Sequence, residues 1–175
     1  MSYTYSEDLF QTEPTDEKSP AHHVFNDTLR ELYWSKNQLM RTLLRLENEA
    51  LNAQLKRNIH DYFEATRIQV YTIEHLFELL DEHPAGRVCA LTQVSCKKAM
   101  ASCHPERPEG KDKGIRLCVA EFYAQEITIL GYLFKLALSM GRLDIARITS
   151  DMQRKTRAAF EFAFPAMPSN PMVAA

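Results

Sequence analysis

Glycine is scarce in this chain, with 5 residues in 175. No Gly-rich phosphate loop is present, and a turn-dense, sheet-rich fold is disfavoured. Positive charge is not in excess. The formal net charge is −2, so there is no global basic field to attract nucleic acid. No apolar run approaches the roughly 20 residues of a membrane span. Residues 1–10 hold no basic stretch followed by an apolar one, so no secretory signal is read there. A cytoplasmic location is expected, and the 4 cysteines then read as thiols. No Ser/His/Asp order or reactive-cysteine signature stands out.

What is present favours helix. Leu, Ala, Glu, Lys and Arg are plentiful, while apolar content (45%) and charged content (25%) are ordinary for a globular protein. The length suits one domain with a sizeable core. Charge is uneven: residues 1–22 hold −4, from five carboxylates against Lys18, which leaves +2 for the remainder. Residues 1–22 therefore read as a solvated acidic arm.

From His23 to Ala50 the apolar positions recur in steps of three and four: Phe25, Leu29, Leu32, Leu39, Leu43 and Leu46. That spacing predicts a long packed helix, with Asn26 or Asp27 near its start. A second helix is expected over Asn52–Glu82, stopped by His83-Pro84-Ala85-Gly86. A short helix over Cys89–Ser102 leads into a charged loop, residues 104–114. A third long helix is expected from Ile115 to Gly141. A fourth is expected over Leu143–Phe162, with Ile145, Ile148, Met152, Ala159 and Phe162 inward. Short links make the paired helices antiparallel, and the long passage between the second and third permits a crossover. The expected fold is all-α: an antiparallel four-helix ferritin-like bundle over residues 23–163, with a short extra helix in the crossover and a tail at 164–175.

The apolar stripes are broken near mid-helix by Lys36, Thr66, Gln69, Glu126 and Lys155. Interruptions at one level of a bundle are where carboxylate-bridged metal centres sit, but such centres need a Glu-x-x-His pair on each of two helices. Residues three after Glu64, Glu121 and Glu126 are Arg67, Ala124 and Ile129. Lys36 has only donors while protonated and repels a divalent cation. Two arrangements remain open. Lys36 and Glu126 pair across the bundle, or Lys36 reaches outward along its stem while Glu126 faces a wet crevice. Cys89, Cys96 and Cys103, seven apart, share a helix face about 10 Å from one another, and read as small core side chains. His22, His23 and His104 read as surface residues. Tyr33, Trp34, Tyr62, Phe63, Phe122 and Tyr123 form an aromatic band suited to packing or a dimer face.

The run Phe25 to Leu39, with Tyr33-Trp34, resembles the opening helix of the YciE/YciF ferritin-like family. So do Phe63 to Val70 and Ile73 to Leu80, together with Cys89, Glu126 and Gly131. The likeness covers residues 24–162. It implies a dimeric ferritin-like bundle linked to bacterial stress responses, with a proposed metal site. This sequence departs from that pattern at the site. Lys36 stands where the family has Glu, Ala65 stands for the second glutamate of a Glu-Glu-Thr pattern that Glu64 and Thr66 match, and Tyr123 replaces a Glu one turn before the matching Glu126. Arg154, Lys155 and Thr156 fall on an acidic run. The expectation is a vestigial centre made of Lys36, Glu64, Thr66, Gln69, Tyr123, Glu126 and Lys155, with no catalytic residue and no metal. The protein would act by binding or in a stress response, as a homodimer, with a protein partner possible and neither nucleic acid nor membrane. The alternatives are an iron- or manganese-binding oxidoreductase or iron-handling protein built around Glu64, Gln69 and Glu126, and a partner-binding adaptor.

Overall fold

A serine before a proline starts the first helix. In the computed structural model, which describes residues 19–105 and 110–165, Ser19 accepts a hydrogen bond from the His22 amide at 3.3 Å, and Pro20 opens α1 (Pro20–Glu49). Proline at that position costs no hydrogen bond and presets the helical φ. The helix thus begins three residues before the expected His23, and neither Asn26 nor Asp27 caps it. Most of the expected acidic arm and C-terminal tail, and residues 106–109, lie outside the described residues.

Asn52 caps α2 (Ala53–Leu79), its side chain accepting from the Leu55 amide at 2.9 Å. Helix α2 ends three residues short of Glu82, where Asp81 turns to a φ of 54°. Helix α3 (Ala90–Ser102) follows, then α4 (Lys111–Ser139) and α5 (Leu143–Ala163). Helix α4 starts inside the stretch expected to be loop. Asp112 in its first turn accepts the Leu51 and Asn52 amides, each at 2.8 Å, and so ties the α1–α2 link to α4.

The described residues are helical, with no strand. Helix α1 packs most extensively on α2, and α4 on α5; α1 also meets α4, and α2 meets α5. Helix α3 lies against α1 and α4. Its inward side is small or polar (Thr92, Ser95, Ala99), whereas Leu91 and Val94 point to solvent. Hydrogen bonds hold it alongside the packing of Cys96, Ala99 and Met100 on the core: Ser35 with Thr92 at 2.8 Å, and Gln125 to Ser95 at 2.8 Å.

Helix α5 presents a different face from the expected one. Phe162 is 79% exposed, and Ile148 and Ala159 are half-buried. The buried positions are Ile145, Thr149, Met152, Thr156, Phe160 and Ala163. Threonine has nearly the volume of valine, and its hydroxyl can bond to the carbonyl one turn back, as Thr149 does to Ile145 at 3.0 Å. Two threonines therefore sit where an apolar stripe was sought. Helix α4 also corrects an expectation. By length and composition it is apolar enough to cross a membrane, but half of that stretch is buried inside the bundle, as in a core helix.

The core falls into two apolar clusters. One gathers Leu43, Leu46, Ile59, Phe122 and Phe160. The other gathers Phe25, Leu29, Ile73, Leu133 and Ile145. Near the junction of the two clusters each long helix turns a polar side chain inward: Lys36, Gln69, Glu126 and Thr156.

Candidate functional site

That polar layer is a closed ring with one member from each long helix. Lys36 (α1) is 1% exposed, and its Nζ lies 2.5 Å from Glu126 Oε2 (α4). The same Nζ donates to Gln69 Oε1 (α2) at 2.5 Å. The Gln69 amide donates to Thr156 Oγ1 (α5) at 2.9 Å, and Thr156 donates to Glu126 Oε1 at 2.8 Å. Tyr62, two turns before Gln69 on α2, adds a hydrogen bond from its hydroxyl to Glu126 Oε2 at 2.8 Å.

The ring fixes its own protons. The Thr156 oxygen accepts from Gln69, so its hydrogen goes to Glu126. Both carboxylate oxygens of Glu126 are acceptors, one from Thr156 and the other from Tyr62 and Lys36. Three donors thus meet on one carboxyl group, and the Lys36 ammonium is its countercharge. Burial pushes the Lys36 ammonium below its usual range, and the Glu126 carboxylate opposes that shift. Burial, with Glu126 close by, holds the Tyr62 hydroxyl well above the usual phenol range. Tyr123 stacks on Tyr62 with ring centres 3.7 Å apart and planes at 13°, and its hydroxyl is raised likewise, first by burial.

The sequence-predicted residues divide cleanly. Lys36, Gln69 and Glu126 meet as ring members, and Tyr123 supports the ring by stacking. Thr66 is fully buried on the α2 face between Tyr62 and Gln69, and its hydroxyl has no hydrogen-bond partner among the described residues. Glu64 does not join them, since it points outward and pairs with Arg67 at 2.6 Å. Lys155 is exposed and pairs with Asp151 at 2.7 Å, because α5 turns Thr156 inward instead. Thr156, a ring member, and Tyr62, which donates to the ring from one side, are residues that polar interruptions alone did not single out. Steps of four from Met152 to Thr156 to Phe160 are the signal that finds the threonine.

A divalent ion does not fit this set. The ring offers one carboxylate, and three donors already occupy it. The Lys36 ammonium stands against the carboxylate where a cation would bind. Among the described residues, no group of three or more His, Cys, Asp or Glu side chains is placed to hold a metal ion. A void of about 30 Å³ adjoins the pair on the α3 side, space for a water but not for an organic substrate. The cysteines are unpaired. Burial raises the thiols of Cys96, Cys103 and Cys118 above the usual range, which disfavours the nucleophilic thiolate.

Residues 20–161 match DUF892, described as a domain of unknown function. The chain belongs to the DUF892 family. Solved structures agree on the fold. YcfI of Rhodopseudomonas palustris superposes with a TM-score of 0.80 at 20% identity, over 88% of this chain and 99% of that one. The Escherichia coli stress protein YciF gives 0.79 at 21% identity, over 85% and 94%. A protein of Xanthomonas campestris pv. campestris gives 0.66 at 20% identity, over 83% and 90%. No curated protein matches the sequence. The DUF892 match and these neighbours make the chain a YciE/YciF-like protein. Gly131, part of that likeness, is a close-approach position: a Cβ there would lie 2.4 Å from Gln153 Nε2, which donates to the Ile127 carbonyl at 2.9 Å.

Proposed function

We propose that this protein is a ferritin-like bundle in which a buried Lys36–Glu126 pair stands in place of a metal centre, and that it serves a stress response by binding rather than by redox chemistry. The connectivity supports the ferritin-like reading: α1 and α2 antiparallel, a crossover carrying α3, then α4 and α5 antiparallel. One observation carries the metal-free reading, the Lys36 ammonium at 2.5 Å from both Glu126 and Gln69. A lysine so placed supplies the positive charge that a metal would otherwise bring, and does so without lone pairs or redox chemistry. The stress role rests on the likeness to the Escherichia coli stress protein.

The test is elemental analysis of purified protein after loading with iron and with manganese, alongside Lys36→Glu and Glu126→Ala variants. The wild-type chain should retain metal well below one equivalent. Stoichiometric metal in the wild type, lost in Glu126→Ala, overturns the proposal.

A further inference from the structure

The outer surface between α4 and α5 carries two adjoining hollows of about 370 and 650 Å³, which share Phe134 in their lining. Their apolar parts are open to solvent: Tyr132 is 47% exposed, Leu138 45% and Leu143 61%. Cations border them. Lys135, Arg147 and Arg157 form no ion pair among the described residues, and the one carboxylate in the lining, Asp151, is already held by Arg154 at 2.5 Å and by Lys155 at 2.7 Å. A groove of this kind suits a segment that combines acidic and apolar side chains.

The chain contains such a segment. Residues 1–18 include Glu7, Asp8, Glu13, Asp16 and Glu17 together with Tyr3, Tyr5, Leu9 and Phe10, of which Leu9-Phe10 lies between Asp8 and Glu13. Residues 166–175 hold no Asp, Glu or aromatic residue and lack that complementarity. The place of attachment also fits. Helix α1 begins at the end of the bundle where Phe25 and Leu29 share a cluster with Ile145 and Ala146, beside the smaller hollow. Eighteen extended residues reach about 60 Å, and α5 is only about 30 Å long.

We propose that residues 1–18 dock in the α4–α5 groove of their own chain, with acidic side chains on Lys135, Arg147 and Arg157 and aromatic ones on Tyr132, Leu138 and Leu143. The experiment records amide NMR spectra of the full-length protein and of three full-length variants. A groove variant carries Lys135→Glu, Arg147→Glu and Arg157→Glu. An arm variant carries Glu7→Lys, Asp8→Lys and Glu13→Lys. The third combines both sets. Circular dichroism melts check that each folds. The groove variant should shift the signals of residues 7–10, and the arm variant those of Tyr132, Leu138 and Arg147. Salt at ~0.5 M should weaken the wild-type contact, and the combined charge swap should restore it. Arm signals indifferent to the groove charges overturn the proposal. So do shifts that grow with protein concentration, which assign the groove to the arm of a second copy.

Discussion

Removing one member of the buried pair should cost far more than its partner's subsequent removal. In Lys36→Met the Glu126 carboxylate keeps Tyr62 and Thr156 as donors but loses its countercharge in a site 4% exposed, and Gln69 Oε1 loses its donor. Breaking a buried pair in this way costs about 3–5 kcal/mol. In Glu126→Leu the ammonium loses its countercharge, and the Tyr62 and Thr156 hydroxyls lose their acceptor, so a loss at or above that range is expected. A folded domain of this size has about 5–15 kcal/mol in total, and either variant should melt roughly 6–20 °C lower. The double variant removes both charges together. Sequence reasoning alone makes it neutral or stabilising, but the ring corrects this: Gln69 Oε1 loses its donor and the Tyr62 hydroxyl its acceptor, while Thr156 keeps only the bond it accepts from Gln69, at about 1–3 kcal/mol for each group left unpaired. The double variant should therefore be destabilised, yet by at least about 2 kcal/mol less than the sum of the singles. Urea unfolding of the four proteins measures this cycle. Strict additivity would show that the two charges do not sense each other, and would refute the pairing.

Thr66→Val removes the one ring-level hydroxyl that has no partner and keeps the shape, so it should raise stability by about 1 kcal/mol in urea unfolding; a loss of similar size instead would reveal a bound water that uses the hydroxyl. Tyr62 and Tyr123 both have raised phenol pKa values, so they stay protonated in the fold while the unfolded chain ionises near pH 10. Their contribution is complete below about pH 10 and is lost as pH rises beyond it, by up to about 2.7 kcal/mol per pH unit for two groups. Lys36 is shifted downward and acts with the opposite sign only below the unfolded lysine value near 10.4, so unfolding above that pH isolates the tyrosines. Tyrosinate absorbance that appears for all 7 tyrosines before the chain unfolds would contradict this. Asp112→Ala frees the Leu51 and Asn52 amides and should cost about 0.5–2 kcal/mol, with faster hydrogen exchange confined to the α1–α2 link.

The helices were legible because their apolar spacing is regular over many turns. Their ends were less so, since some depend on a local cap and others on a side chain brought from afar. Ser19-Pro20 is a local signal and was available in the sequence. Asp112 was not, since only the fold brings it to residues 51 and 52. The site was half legible. Lys36, Gln69 and Glu126 interrupt apolar stripes, and an interruption is visible wherever its neighbours are leucine or isoleucine. Thr156 is hidden because a threonine reads equally as surface or as core, whereas Glu64 is suggested by the family pattern and Lys155 by its place between Met152 and Ala159, and both form ion pairs away from the ring. A shift of one residue on a helix turns a side chain by about 100°, which suffices to carry Lys155 to solvent and Thr156 to the ring.

The ring also bears on why this bundle has a single register. Apolar stripes spaced by three and four residues can slide past one another by a helical turn of about 5.4 Å and still bury leucine against leucine. The ring cannot slide. Moving α1 by one turn would place Leu32 or Leu39 opposite Glu126, and would leave a lysine buried against a cluster of leucine and phenylalanine. Because α1, α2, α4 and α5 each contribute one member, one offset satisfies all four bonds together. A metal centre imposes the same discipline through its ligands. An ammonium, a carboxylate, an amide and a hydroxyl impose it here with side chains alone.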